Sequence, residues 1–154
     1  DEFAGGADQF DDITMLCIEM KSSGMKKINL APTLEQLPQA TDFFEGILAE
    51  AGASMKVVAQ VNVAVDEIFS NIARYSGATG VVLGCLLKDG KVTLRFSDNG
   101  RPYDPTEKPD PDTTQSAEER EVGGLGIFMV KKLMDEVTYE YADGSNILTL
   151  VKSL

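Results

Sequence analysis

Histidine is missing from all 154 residues, and that absence removes every Ser-His-Asp or Cys-His nucleophile system and every histidine-ligated metal. Chemistry here must run on carboxylates, amides, backbone groups or a bound ion. Basic residues are scarce: 14 Lys and Arg stand against 25 Asp and Glu, a formal net charge of -11. That charge repels nucleic-acid phosphates and anionic membrane surfaces, so no direct nucleic-acid partner is expected. No apolar run approaches the ~20 residues that span a bilayer, and no charged-then-apolar leader opens the sequence. A soluble, cytoplasmic protein with no membrane partner is the expectation. The two cysteines, Cys17 and Cys85, sit in apolar strand-like runs without metal spacing, which predicts buried thiols rather than a disulfide or a zinc site.

What is present suits one sizeable core, since 43% of the residues are hydrophobic. The opening "DEFAGGADQFDDITMLCIEMKSSGMKK" differs in character from the rest, with a strand-like "DITMLCIEM" and a polar, linker-like "KSSGMKK". The expectation is one compact domain at 28–154, with residues 1–20 as an appendage and 21–27 as a linker. "INLAP" reads as a short strand stopped by Pro32. "TLEQLPQATDFFEGILAEAG" reads as a helix capped at Thr33 and closed by Gly52. In "SMKVVAQVNVAVDEIFSNIARYSG", Val58, Val61, Val65, Ile68 and Ile72 recur at helical spacing between a Ser54 cap and Gly77. "VVLGCLLKDGKVTLRFSD" is a hairpin around Asp-Gly, and "TYEYADGSNILTLVKSL" is a second. Between them, residues Arg101 to Val122 carry few large apolar side chains and read as a long excursion. "GGLGIFMVKKLMDEV" then restarts a helix. The order strand, two helices, hairpin, loop, helix, hairpin predicts an α+β fold. It would be a two-layer α/β sandwich, its mixed, largely antiparallel sheet covered by helices on one face.

Three stretches carry candidate chemistry. Glu67 and Asn71 are four residues apart on one helical stripe, which Arg74 extends. The same spacing occurs on the solvated edge of any amphipathic helix. Asp98 and Gly100, in "DNGRPYDP", end a strand, as an ordinary turn also would. Gly123, Gly124 and Gly126 open a helix, where unpaired N–H groups and the dipole favour phosphate. "GGLGIF" is neither a Walker loop nor a full Rossmann fingerprint.

Taken in order, "DEIFSNIARYSG", "DNGRPYDP" and "GGLGIFMVKKLMDEVTYEY" resemble the nucleotide-binding boxes of the GHKL ATPase superfamily. Within it the chain looks most like the anti-sigma-factor serine kinases of the RsbW and SpoIIAB type. The resemblance implies the Bergerat fold, ATP with Mg2+, and phosphorylation of a serine on an anti-sigma-factor antagonist. That antagonist would have a STAS-like fold, and a sigma factor would be the other partner. It implies Glu67 as general base, Asn71 as the magnesium ligand and Asp98 as acceptor of the adenine amino group. Gly100 would let the chain pass close to the base, and Gly124, Leu125 and Gly126 would cradle phosphate. Thr149 would be an adenine-side hydroxyl, and Pro105 to Val122 a lid. The chain departs from the superfamily at Pro102, where a glycine is common, and at Tyr75 and Ser76, where many relatives carry histidine and glycine.

A second resemblance covers the first residues. "GGADQFDDITMLCIEM" looks like the closing segment of PPM-type, SpoIIE/RsbU-like serine phosphatases, in which an aspartate of "DDIT" helps hold the metal pair. It implies a fusion of phosphatase to kinase-like domain. Asp11 and Asp12, without the other ligands, read as a solvated acidic turn. Three functions follow: an anti-sigma-factor type serine kinase, an ATP-binding module that regulates the attached phosphatase without phosphotransfer, and a sensor histidine kinase fragment. The last is weakest, because no dimerising histidine helix lies upstream in the sequence. A homodimer is compatible with the resemblance and with apolar strand edges.

Overall fold

Two Asp-Gly pairs set the strand connections. Asp89 and Gly90 adopt φ of 53° and 73°, and Asp143 and Gly144 adopt 53° and 75°. Both central residues of each turn thus occupy the left-handed region that a two-residue hairpin needs. The computed structural model describes residues 24–107 and 124–154. The expected strand at 13–20 lies outside these, as do Cys17, Gly123 and the lid beyond residue 107.

In chain order the elements are β1 (Lys26–Leu30), α1 (Leu37–Glu50), α2 (Met55–Tyr75), β2 (Val81–Lys88), β3 (Lys91–Asp98), α3 (Gly124–Leu133), β4 (Glu136–Ala142) and β5 (Ser145–Ser153). The α+β expectation holds. The strands form one sheet in the order β1-β2-β3-β5-β4, and all four pairings among the described residues are antiparallel. The strand begins earlier than the sequence reading placed it: Lys26 and Lys27, assigned to a linker, pair with Cys85 and Gly84.

The helices pack on one sheet face. The α2 helix starts where the Ser54 hydroxyl accepts from Val57 N at 3.2 Å and ends before Gly77, at φ 69°. It buries Val61, Ala64, Val65, Ile68 and Phe69 against the sheet, while Val58 and Ile72 are only partly covered. The α1 helix begins differently from expectation. Thr33 makes no side-chain cap; a 3-10 turn at Leu34–Gln36 leads in, and Pro38 occupies the first helical turn, where its missing N–H costs nothing. Phe44 of α1 is fully buried and meets Phe96 of β3 at a ring separation of 5.7 Å. Burying such a side chain stabilises the fold by roughly 1.5–3 kcal/mol.

Register decides what shares the helix-facing side. Leu94 lies opposite Leu150, Phe96 opposite Leu148, and Asp98 opposite Asn146. The apolar sequence of the core therefore ends, at one end of the sheet, in two buried polar residues. Thr149 pairs with Arg95 and, by the two-residue alternation of a strand, faces the other way.

Candidate functional site

A cavity of about 400 Å³ lies at that end of the molecule, between α2 and the sheet, within the range of small-ligand sites. Ile68, Ile72, Phe96, Ile127 and Leu148 form apolar walls, and Asn71, Asp98 and Asn146 supply polar groups. Two residues that set it apart from core are Asp98 and Asn146, each only 6% exposed.

Asp98 has one oxygen committed. Its Oδ1 accepts from Gly100 N at 2.9 Å and from Asn146 Nδ2 at 3.1 Å. Its Oδ2 accepts no hydrogen bond from the described residues, so an accessible oxygen of this buried residue is left for a donor in the cavity. Gly100 is required for space. A Cβ there would meet Ser76 Cβ at 2.8 Å and Asp98 Oδ1 at 2.9 Å, besides the Ser76 carbonyl oxygen. The segment after it is pinned to α2, since Arg101 N donates to Ser76 O at 3.1 Å and Arg101 Nη2 to Tyr75 O at 2.7 Å. Asn99 ties the same segment to the loop before β2 by bonds to Thr79 and Gly80.

On α2, the i to i+4 spacing brings Asn71 Nδ2 to Glu67 Oε2 at 3.1 Å. One Nδ2 hydrogen of Asn71 is used there, and its Oδ1 accepts no hydrogen bond from the described residues while the residue lines the cavity. Glu67 also packs against α3: a Cβ on Gly126 would overlap the Glu67 carboxyl group. Glycine at 126 is thus what lets α3 approach the carboxylate. Gly124 and Leu125 form the first turn of α3, where N–H groups have no intrahelical partner. Arg74 is exposed and does not line the cavity.

One sequence expectation changes. Thr149 is not among the cavity residues; it lies on the opposite sheet face, because it is an odd number of positions from the inward Leu148 and Leu150. Asn146, not selected in the sequence, lines the cavity instead. Its Nδ2 donates to Asp98 Oδ1 and to Arg101 O at 2.9 Å, with Gly100 O at 3.4 Å. Its Oδ1 accepts from Tyr103 N at 3.0 Å and from the Tyr139 hydroxyl. The signal was present: Asn146 is the polar side chain that precedes Leu148 and Leu150 on their own parity, and it is buried with them. Burial pushes the Tyr139 phenol above its ordinary pKa, against the hydrogen bond it shares with the Tyr103 backbone, while Asp104 and Asp98 add to the rise.

Comparison with known proteins now places the chain. The family model of the histidine kinase-like ATPase domain matches residues 30–152, and the chain belongs to that family. It is similar to the serine-protein kinase RsbW of Listeria monocytogenes serovar 1/2a, with 31% identity over 111 residues, 67% of this chain and 71% of that one. It is also similar to the serine/threonine-protein kinase BtrW of Bordetella bronchiseptica, at 27% over 133 residues, covering 84% and 94%. Among solved structures, the RsbU and RsbW domains of Rv1364c from Mycobacterium tuberculosis share the fold, with a TM-score of 0.61 at 21% identity. The alignment covers 83% of this chain and only 32% of that larger one.

Proposed function

We propose that this chain is an ATP-dependent serine/threonine protein kinase of the anti-sigma-factor type, acting on an anti-sigma-factor antagonist. The observation that carries the reading is the buried Asp98, whose Oδ1 is occupied and whose Oδ2 is left toward a nucleoside-sized cavity. That oxygen suits the exocyclic amino group of adenine. Its neighbours fit the rest of the ligand: Asn71 Oδ1 is a hard donor suited to magnesium, and the first turn of α3 at Gly124, Leu125 and Gly126 favours phosphate. Magnesium, when bound, would neutralise phosphate charge during transfer.

The chain's own contribution is positioning and one proton. Glu67 Oε2 is held by Asn71, leaving Oε1 to take the hydrogen of an incoming seryl hydroxyl as its oxygen bonds to the terminal phosphorus and the bond to the leaving diphosphate breaks. General-base assistance of this kind contributes roughly 10²- to 10⁴-fold. The relatives named as serine kinases support the same reaction class. Partner switching between antagonist and sigma factor belongs to this proposal, as does the reading of residues 1–20 as the end of a fused PPM-type phosphatase, 21–27 as linker and 28–154 as ATPase domain. The solved neighbour, which carries RsbU and RsbW domains together, is compatible with such a fusion.

Thermal unfolding with ATP, ADP and GTP in magnesium, on wild type and Asp98→Asn, tests the site. A ligand at about 100 times its dissociation constant adds roughly 2.7 kcal/mol. Stabilisation of wild type by the adenine nucleotides, lost in the variant, is expected; no response in wild type would end the proposal. Transfer of labelled phosphate to a STAS-like antagonist then tests kinase action.

A second reading, an ATP-binding module that regulates the attached phosphatase without transfer, rests on the departures at Tyr75, Ser76 and Pro102, all of which line the cavity. The Ser76 hydroxyl is engaged locally, donating to Ile72 O at 2.7 Å and accepting from Ala78 N at 3.0 Å. It is therefore committed to the helix end. Binding of ATP without phosphate transfer would favour this reading.

A further inference from the structure

The nucleotide reading above leaves open what prevents Asp98 from presenting either oxygen, or its donor neighbour, to a different base. We infer that Asn146 is a positioning residue for base selection, which locks Asp98 as a one-oxygen acceptor and thereby makes the cavity select a base bearing an amino group over one bearing an oxo group. The inference rests on the nucleotide reading and adds a specificity device to it.

The hydrogen-bonding capacity of Asn146 is fully used. An asparagine amide has two N–H hydrogens and two acceptor lone pairs. The Nδ2 hydrogens of Asn146 go to Asp98 Oδ1 and Arg101 O, and its Oδ1 lone pairs take Tyr103 N and the Tyr139 hydroxyl. All four are used, so rotating the amide by half a turn would oppose acceptor to acceptor at Asp98 and Arg101 and donor to donor at Tyr103. One orientation is therefore enforced. Asn146 has no donor left for a ligand, although it lines the cavity. Its donated hydrogen, together with Gly100 N, saturates Asp98 Oδ1. At Asp98 the ligand meets a single acceptor, Oδ2. A 6-amino group donates to it, whereas a 6-oxo group would face it lone pair to lone pair.

The same residue carries the strap that roofs this end of the cavity. Gly100 to Tyr103 follows β3, and three of its backbone groups bond to Asn146, a residue of β5 more than forty positions later. Base wall and acceptor are thus aligned by one side chain. Tyr139 of β4, which also lines the cavity, donates its hydroxyl to Asn146 Oδ1 and so supports the same chain of contacts.

The experiment is calorimetric titration of ADP and IDP, which differ in the amino and oxo groups at C6, into wild type, Asn146→Asp and Tyr139→Phe in magnesium. Asn146→Asp keeps the shape but removes both hydrogens, placing an acceptor against Asp98 Oδ1 and Arg101 O. Wild type is expected to prefer ADP by roughly tenfold or more, the value of a hydrogen bond to a charged acceptor. Asn146→Asp should lose most of that ratio, and Tyr139→Phe, a smaller change that keeps the ring, should reduce it by about threefold. A general loosening would weaken both nucleotides together and leave the ratio unchanged. If wild type binds ADP and both variants keep its ADP-to-IDP ratio, the positioning role is overturned while the nucleotide site stands. If wild type binds neither nucleotide, the site reading fails and this inference with it. Should Asn146→Asp not fold, Tyr139→Phe alone decides.

Discussion

Gly126 and Glu67 form a contact whose cost of disruption can be isolated. Because a Cβ at 126 would overlap the Glu67 carboxyl group, the end of a flexible side chain that can swing aside, Gly126→Ala is expected to displace Glu67 and, net of the helix propensity gained, to destabilise by no more than about 1 kcal/mol. Glu67→Ala alone should leave thermal stability nearly unchanged, since this partly exposed carboxylate supports no core. The double variant should recover most of the loss, and a double-mutant cycle in urea reads that coupling. Strict additivity would refute the contact. Cys85 supplies a pH test. Burial pushes its thiol up to about 12 from 9.0, with Lys26 pulling weakly the other way. The folded form therefore holds its proton where the unfolded thiol has lost it. This contribution is fully present below pH 9 and is lost as pH rises toward 12, at up to about 1.4 kcal/mol per pH unit. Urea midpoints of wild type should fall more steeply over that range than those of Cys85→Ala, which starts lower; parallel slopes would contradict the assignment. The residue scale also shows where reading the sequence succeeds. Asp98 was legible because Asp and Gly just after a strand signal a special turn. Asn146 was not, because its importance depends on a partner 48 positions earlier and on parity along β5, and the hydroxyl of Thr149 drew attention to the wrong face.

At the scale of elements, the turns do the most for the least sequence. Gly144 has φ 75° and no atom crowding its Cβ position, so Gly144→Ala tests backbone strain without collision. It should cost about 1–2 kcal/mol in urea unfolding, with protection from hydrogen exchange falling first in β4, the edge strand of this hairpin. An unchanged midpoint would show that the turn tolerates a side chain. Both hairpins and the α2 helix were readable because Asp-Gly chemistry and three-and-four spacing are local properties. The start of α1 was misread because two local signals competed: Thr33 looked like a cap, but Pro38 and the 3-10 turn before it set the entry. The strand boundary at Lys26 was hidden for a different reason. Two lysines look like linker, yet their backbone groups pair with β2 whatever the side chains are.

For the whole molecule, charge sets the response to its surroundings. With a formal net charge of -11, like charges repel across the surface, and added salt screens them over about 10 Å at 0.1 M. The melting temperature should therefore rise by about 2–5 °C between low salt and roughly 0.5 M sodium chloride. A fall would mean that attractive pairs outweigh the excess charge. No helix among the described residues is long and apolar enough to cross a membrane. The layer order and sheet content were legible from the succession of elements, whereas the antiparallel pairing of every adjacent pair among the described strands was not, because β1–β2 and β3–β5 join strands distant in sequence. That pairing has a practical consequence. Asp98 and Asn146 are cross-strand partners, and a slip of one residue between β3 and β5 would turn one of them out of the cavity. Any ligand that engages Asp98 would bind only chains with the correct pairing. Stoichiometric titration would then count the properly folded fraction of a preparation, so the site could serve as its own quality assay.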